Sequence, residues 1–311
     1  LSNTDLPGSK PSAFQVVDMD IARLLEEGAR RLAESGVEEA AVDARLLLGH
    51  CLQKSRTELY LHGARAVAPA ASKRFFEYIR RRSAREPVAY ILGEQEFWSL
   101  PFEVNGTVLI PRPETEFLLE KVLGRISADR CSPGCCLDLC CGSGVISVVL
   151  ARELEVQVTA LDCSPEALGV AARNCRRHGV SGLVRLLGSD LFRALSPEAK
   201  FPLIVSNPPY VATTEIDCDL QPEVAEHEPH LALDGGGDGL SLIRRIAAGA
   251  LAHLAPGGML FMEFGCDQAE AVAALFQEAS RGERFFQQIE IHQDYSGRDR
   301  VLYGKANLYR E

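Results

Sequence analysis

The 311-residue sequence has no apolar run approaching the roughly 20 residues that a bilayer-spanning helix needs. Its longest candidates, such as "VISVVLA", have the size of core segments, so a soluble protein with no membrane partner is expected. The start, "LSNTDLPGSKPSAF", has no basic stretch leading into an apolar one; it reads as a flexible polar end and not as a secretory signal. Ten cysteines are present, but none in the C-x-x-C spacing that zinc sites favour. "CSPGCCLDLCCGSG" has adjacent pairs instead, and Cys135 and Cys136, at the start of an apolar strand, would point to opposite faces. Buried free thiols, a reducing cytoplasmic setting and no metal are the expectations. An excess of positive charge is also missing: a net charge of −10 speaks against direct work on nucleic-acid phosphate.

The charge is unevenly spread, about +3 over residues 1–85 and about −13 over the rest. The basic part ends in "KRFFEYIRRRSAR", whose Phe75, Phe76 and Ile79 form the apolar stripe of a helix; its arginines read either as a solvated face or as a docking surface. From Val17 to about Arg85 the apolar spacing is helical, as in "IARLLEEGARRLAESG", and residues 1–85 are expected to form a small helical domain. Residues 86–113, "EPVAYILGEQEFWSLPFEVNGTVLIPRP", turn to β-rich runs broken by Gly, Pro and Asn-Gly, the pattern of a β-hairpin connector. Over residues 114–311 strands and helices alternate. That order predicts an α/β domain with a doubly wound, mainly parallel sheet, whose ligands sit beyond the carboxyl ends of the strands.

Those strand ends carry the chemistry. The first gives "LDLCCGSG", where Gly142 and Gly144 permit close backbone approach to a ligand, although an ordinary tight turn uses the same residues. Ser147 replaces the third glycine of a dinucleotide fingerprint and no phosphate-loop lysine follows, so a pyrophosphate ligand is disfavoured. The second ends at Asp162, suited to the two hydroxyls of a ribose or simply to capping the helix that begins at Ser164. After the third, Asp190 can receive an adenine amino group. Together they point to a nucleoside ligand without a phosphate, and S-adenosylmethionine fits that description.

The fourth strand delivers "SNPPY". A planar amide is a poor nucleophile because its nitrogen lone pair is delocalised, so an enzyme that methylates one must hold the NH₂ in line with the donor and keep water out. The Asn207 side-chain oxygen and the Pro208 carbonyl can each accept one N–H; Pro208 and Pro209 stiffen the backbone, and Tyr210 supplies a flat wall.

With these residues assembled, the chain resembles the class I S-adenosylmethionine-dependent methyltransferases. More narrowly, it resembles the release factor glutamine methyltransferases, the PrmC or HemK family. The likeness runs through "EPVAYILGEQEFW", "VLIPRPETE", "LDLCCGSG", "SNPPYV", "PEVAEHEPHLALDGGGDGL" and "GRDRVL", nearly the whole chain. The pairing of "IPRPETE" with "NPPY" is its specific part. The resemblance implies a seven-stranded Rossmann-like sheet with an antiparallel last strand and an N-terminal substrate-docking domain. It further implies methyl transfer to N5 of the glutamine in the Gly-Gly-Gln loop of class I peptide chain release factors, in translation termination. By motif position, S-adenosylmethionine falls on Cys140, Cys141, Gly142, Ser143, Gly144, Asp162, Asp190, Leu191 and Asn207. Catalysis and substrate recognition fall on Asn207, Pro208, Pro209 and Tyr210. Cys140 stands where the family usually has glycine, and Leu191 where an aromatic often stacks on adenine. "RPETE" either starts a helix or contacts the cofactor. In "EHEPH", His227 and His230 look superficially metal-like, but Pro229 spoils a helical ligand pair. Rival substrates are a glutamine of ribosomal protein L3, which the related enzyme sharing "NPPYV" modifies, and adenine N6 of DNA, which calls for a basic cleft absent here. A noncatalytic module that merely keeps the fold is the remaining alternative.

Overall fold

The computed structural model describes residues 19–130, 132–216, 218, 220–280 and 285–307. The polar start expected to be a flexible end lies outside the described residues, as does Cys131. The chain divides into two compact units, Leu1–Leu92 and Gly93–Glu311.

The first unit packs α1 (Ile21–Glu34), α2 (Ala40–Leu52), α3 (Arg56–Leu61), α4 (Pro69–Ser83) and α5 (Val88–Leu92) around Leu24, Leu32, Leu47, Leu48, Phe75 and Ile79. Local signals start these helices. Asp20 caps α1 by accepting from the Arg23 N–H at 2.8 Å, and Ser55 and Glu58 form a reciprocal capping box on α3. One buried ion pair, Arg82 to Asp43 at 2.7 Å, joins α4 to α2. The segment "VAYIL" departs from its β-rich reading. It is the helical turn α5, opened by N–H bonds from Tyr90 and Ile91 to the Pro87 carbonyl, and burial of Ala89, Tyr90 and Ile91 overrides the strand preference of Val, Tyr and Ile.

The second unit opens with a hairpin, β1 (Glu94–Phe97) and β2 (Leu100–Glu103), followed by α6 (Pro113–Ala128). Then come β3 (Cys135–Leu139), α7 (Val145–Leu154), β4 (Gln157–Asp162), α8 (Pro165–Arg177), β5 (Val184–Gly188) and β6 (Phe201–Ser206). Three short helices follow that the periodicity did not reveal, α9 (Thr213–Ile216), α10 (Pro222–His227) and α11 (His230–Leu233). The chain continues through α12 (Ser241–His253), β7 (Leu254–Glu263), α13 (Ala269–Ala279), β8 (Phe286–Gln293) and β9 (Asp299–Ala306). The sheet order is β5-β4-β3-β6-β7-β9-β8, with β9 antiparallel to both its neighbours: the expected seven-stranded, mainly parallel sheet with its last strand reversed. Apolar clusters cover both faces. Cys136 belongs to one and Cys135 packs against the other, as strand alternation requires. Strand order reverses at β3, which pairs with β4 on one side and β6 on the other, so Leu139 lies opposite both Leu161 and Ser206. That register gathers the loops after these strands at one end of the sheet, the switch point where open α/β sheets hold ligands.

Candidate active site

A cavity of about 380 Å³ lies at that switch point. Cys140, Cys141, Gly142, Ser143, Asp162, Asp190, Leu191, Asn207 and Pro209 line it; Gly144, Pro208 and Tyr210 do not. No lysine or arginine is among its described lining residues, whereas Asp162, Glu166, Asp190 and Asp234 are. Apolar walls come from Val145, Ile146, Ala167, Leu191 and Leu242. Acids over an apolar floor suit a cationic nucleoside and repel a phosphate, so the residues present fit S-adenosylmethionine, whose sulfonium is positive.

The turn after β3 has a backbone at position 140 that glycine would adopt without strain. Cys140 has φ = +62°, a left-handed conformation that costs an L side chain about 1–2 kcal/mol. Burial pushes the Cys140 and Cys141 thiols well above their usual range, so both stay protonated at neutral pH. The turn is tied from two sides. Asp162 accepts from the Gly142 N–H at 2.8 Å and from the Ser164 N–H at 2.9 Å, while Ser164 itself caps α8 by accepting from Ala167. On the other side Asn174, fully buried in α8, donates to the Ser143 carbonyl at 2.9 Å and makes two bonds to the Glu103 backbone, fastening the hairpin to the turn. Asp190 lines the cavity with its carboxylate engaged by Arg245 at 2.7 Å, and Leu191, also left-handed at φ = +50°, opens a single 3-10 turn, Leu191–Ala194.

At the end of β6 the Asn207 side-chain NH₂ donates to the Thr115 hydroxyl at 2.9 Å, and its Oδ1 has no hydrogen-bond partner among the described residues. Thr115 donates in turn to Glu263 Oε2 at 2.8 Å, and the Tyr210 hydroxyl donates to Glu263 Oε1 at 2.9 Å. Tyr210 thus directs its hydroxyl away from the cavity toward a fully buried carboxylate. Burial raises the Glu263 carboxyl, against the lowering effect of its two hydroxyl donors, and holds the Tyr210 phenol well above its usual range. In "RPETE", Pro113 is the first residue of α6, Thr115 lines the cavity and Glu116 accepts the Trp98 N–H at 2.5 Å. In "EHEPH", Glu228 pairs with Arg112 and accepts the Ile110 N–H at 3.2 Å, joining two segments of the cavity wall. Among the described residues no cluster of three His, Cys, Asp or Glu side chains could hold a metal ion, and no helix is long and apolar enough to cross a membrane.

Thr115, Glu263, Glu228 and Asn174 were not singled out from the sequence. A hint exists for Glu263 alone, an acid inside the apolar run "GMLFMEFG".

Asp138, inside β3, is also fully buried; it accepts from Ser147 Oγ at 2.5 Å, and burial pushes its carboxyl up to about 7. The unfolded chain ionises this group near the ordinary value of 3.8, so from about 4 to about 7 the unfolded state binds fewer protons and stability falls as pH rises. Asp138→Asn removes this dependence. Between pH 5 and pH 8 the wild type is expected to lose about 2–3 kcal/mol more than the variant in urea unfolding. Parallel curves would show that the carboxyl is not held neutral.

The fold and the site define a class I methyltransferase. The methyltransferase small domain model matches residues 114–238 and the PrmC N-terminal domain model residues 23–93. Among solved structures, the hMettl16 catalytic domain in complex with MAT2A 3'UTR hairpin 1 superimposes with a TM-score of 0.52 at 16% identity, over 76% of this chain and 82% of that one, a likeness of fold alone. The sequence is 43% identical over 285 residues to the release factor glutamine methyltransferase of Cereibacter sphaeroides, covering 91% of this chain and 98% of the relative. It is 41% identical over 286 residues to that of Geobacter sulfurreducens, covering 92% and 96%. The chain belongs to the release factor glutamine methyltransferase family.

Proposed function

We propose that this enzyme transfers a methyl group from S-adenosylmethionine to the N5 side-chain nitrogen of the glutamine in the Gly-Gly-Gln loop of class I peptide chain release factors. The observation that carries the reading is the Asn207 amide: its NH₂ is tied back to Thr115, its oxygen has no partner among the described residues, and the residue lines an acid-bearing cavity. When bound, the cofactor supplies an electrophilic methyl on a sulfonium. Asp162 and Asp190 would hold its ribose and adenine, with the turn from Cys140 to Ser143 and Leu191 forming the wall beside it. Asn207 Oδ1 accepts one N–H of the substrate amide, which turns the nitrogen lone pair toward the methyl; the Pro208 carbonyl, assigned the other N–H from the sequence, does not line the cavity. Transfer would exchange the methyl's C–S bond for the new C–N bond. One N–H proton leaves afterwards to water, so no base is required before transfer and S-adenosylhomocysteine is the second product. The absence of lysine and arginine among the described lining residues opposes a nucleic-acid substrate and favours a neutral peptide loop.

We assign the docking of the release factor body to the helical unit, where Leu46 (52% exposed), Tyr60 (87%) and Leu61 (68%) leave apolar surface in water. One experiment tests both assignments: mass spectrometry of release factors, ribosomal protein L3 and a short Gly-Gly-Gln peptide after incubation with isotopically labelled cofactor. Label is expected on the release factor glutamine. Label on L3 alone would reject the substrate assignment. A Leu46→Asp/Tyr60→Asp variant should label the whole factor about tenfold more slowly and the peptide at the wild-type rate; an unchanged ratio would reject the docking role.

A further inference from the structure

We infer that Thr115, poled by Glu263, is a positioning residue that decides which end of the Asn207 amide meets the substrate; this deepens the proposed function and rests on it. A side-chain amide turns about a terminal torsion with two nearly equivalent wells, one with oxygen outward and one with NH₂ outward. Only the first offers an acceptor to a substrate NH₂. The second sets two donors against each other and turns the incoming amide away.

Three hydrogen bonds remove the ambiguity. Glu263 sits at the end of β7 with no exposed surface, and its two oxygens take the Tyr210 hydroxyl at 2.9 Å and the Thr115 hydroxyl at 2.8 Å. Both carboxyl oxygens accept here, so each hydroxyl commits its single proton to Glu263. Thr115, itself 2% exposed, is then left with lone pairs alone to show Asn207. The Asn207 NH₂ answers at 2.9 Å, and reversing the amide would bring two lone-pair-bearing oxygens to that distance inside a buried site. The order of protons therefore runs one way, Asn207 to Thr115 to Glu263. Its anchor lies 148 residues from Thr115 in sequence, and neither Thr115 nor Glu263 has to touch the reacting atoms for the order to matter.

The test is a double-mutant cycle on the full-length enzyme with a release factor substrate. Thr115→Val keeps the shape and removes the hydroxyl. It is expected to lower kcat about tenfold to a hundredfold, with KM for the factor and the cofactor Kd within about threefold of wild type. Thr115→Ser should restore kcat to within about threefold. In an Asn207→Ala background Thr115→Val should cost nothing further, since Thr115 has no amide left to orient. Wild-type kcat in Thr115→Val, or an equal loss in the Asn207→Ala background, would overturn the inference. In wild-type protein labelled with 15N-asparagine, a nuclear Overhauser contact between the Asn207 NH₂ and the Thr115 methyl is expected, and its absence would also overturn it. That contact is read without turnover, so it separates this inference from the substrate assignment, which fails if the wild-type enzyme leaves release factor glutamine unmodified.

Discussion

Asn207→Ala is expected to lower kcat about a hundredfold while the cofactor Kd stays within about threefold, read by single-turnover methylation and by calorimetry. The asparagine holds the acceptor that the proposed mechanism aims at the substrate NH₂, and losing one preorganised polar contact at a reacting centre costs on the order of 3 kcal/mol. The cofactor is assigned mostly to other loops, on Gly142, Asp162 and Asp190, and those loops are held by bonds that do not involve Asn207, such as Asp162 to Gly142 and Asn174 to Ser143. A small effect on binding beside a large one on rate is therefore the signature of an acceptor for substrate. Wild-type turnover by the alanine variant would remove Asn207 from the mechanism. A loss of cofactor affinity matching the loss of rate would instead make Asn207 chiefly a cofactor contact.

The second large effect is expected from one methyl group at Gly239, a residue that does not itself line the cavity. Gly239→Ala places its Cβ 2.3 Å from the Tyr210 carbonyl oxygen and 2.5 Å from Gln268 Nε2, the very group that donates to that carbonyl. The backbone at Gly239 is left-handed, φ = +72°, so the residue can neither rotate away nor accept a side chain without strain. The clash must be relieved by moving the chain after Pro209, which is also pinned by the Val211 N–H to the Leu233 carbonyl and the Gly235 N–H to the Val211 carbonyl. We expect a loss of about 2–4 kcal/mol of stability and a fall in kcat of about tenfold or more. Gly237→Ala, two residues earlier, meets nothing within 4 Å and should behave as wild type in both assays. Equal behaviour of the two variants would mean that the "DGGGDGL" loop does not brace the Asn-Pro-Pro-Tyr segment.

These predictions draw on residues that were unequally visible in the sequence. The turn from Cys140 to Gly144, Asp162, Asp190 and Asn207 could be found because each is the last residue of an apolar strand or lies just past it. In an alternating strand and helix pattern that position alone assigns them to one edge of the sheet. Tyr210 was also visible, but as a wall of the site; in the structure its hydroxyl turns to Glu263 and the residue does not line the cavity. Thr115 stood inside a quoted motif without a role, because its partners are 92 and 148 residues away. Asn174 looked like any polar residue of a helix. It became a fastening only when α8 was laid beside the hairpin, where it bonds Glu103 and Ser143. Val88–Leu92 went the other way: its residue types favour a strand, and burial in a helical unit made it a turn of helix.

The sequence by itself determined the alternating order of elements, the strand-end positions of the chemical groups, the net negative charge of the part of the chain that carries them and the family, because all of these are local patterns or composition. Only the tertiary structure decided how those groups are aimed. A hydroxyl, an amide or a buried carboxylate has no fixed direction along the chain. Its orientation comes from the partner it is packed against, and here the partners of Asn207, Tyr210 and Ser143 arrive from α6, β7 and α8.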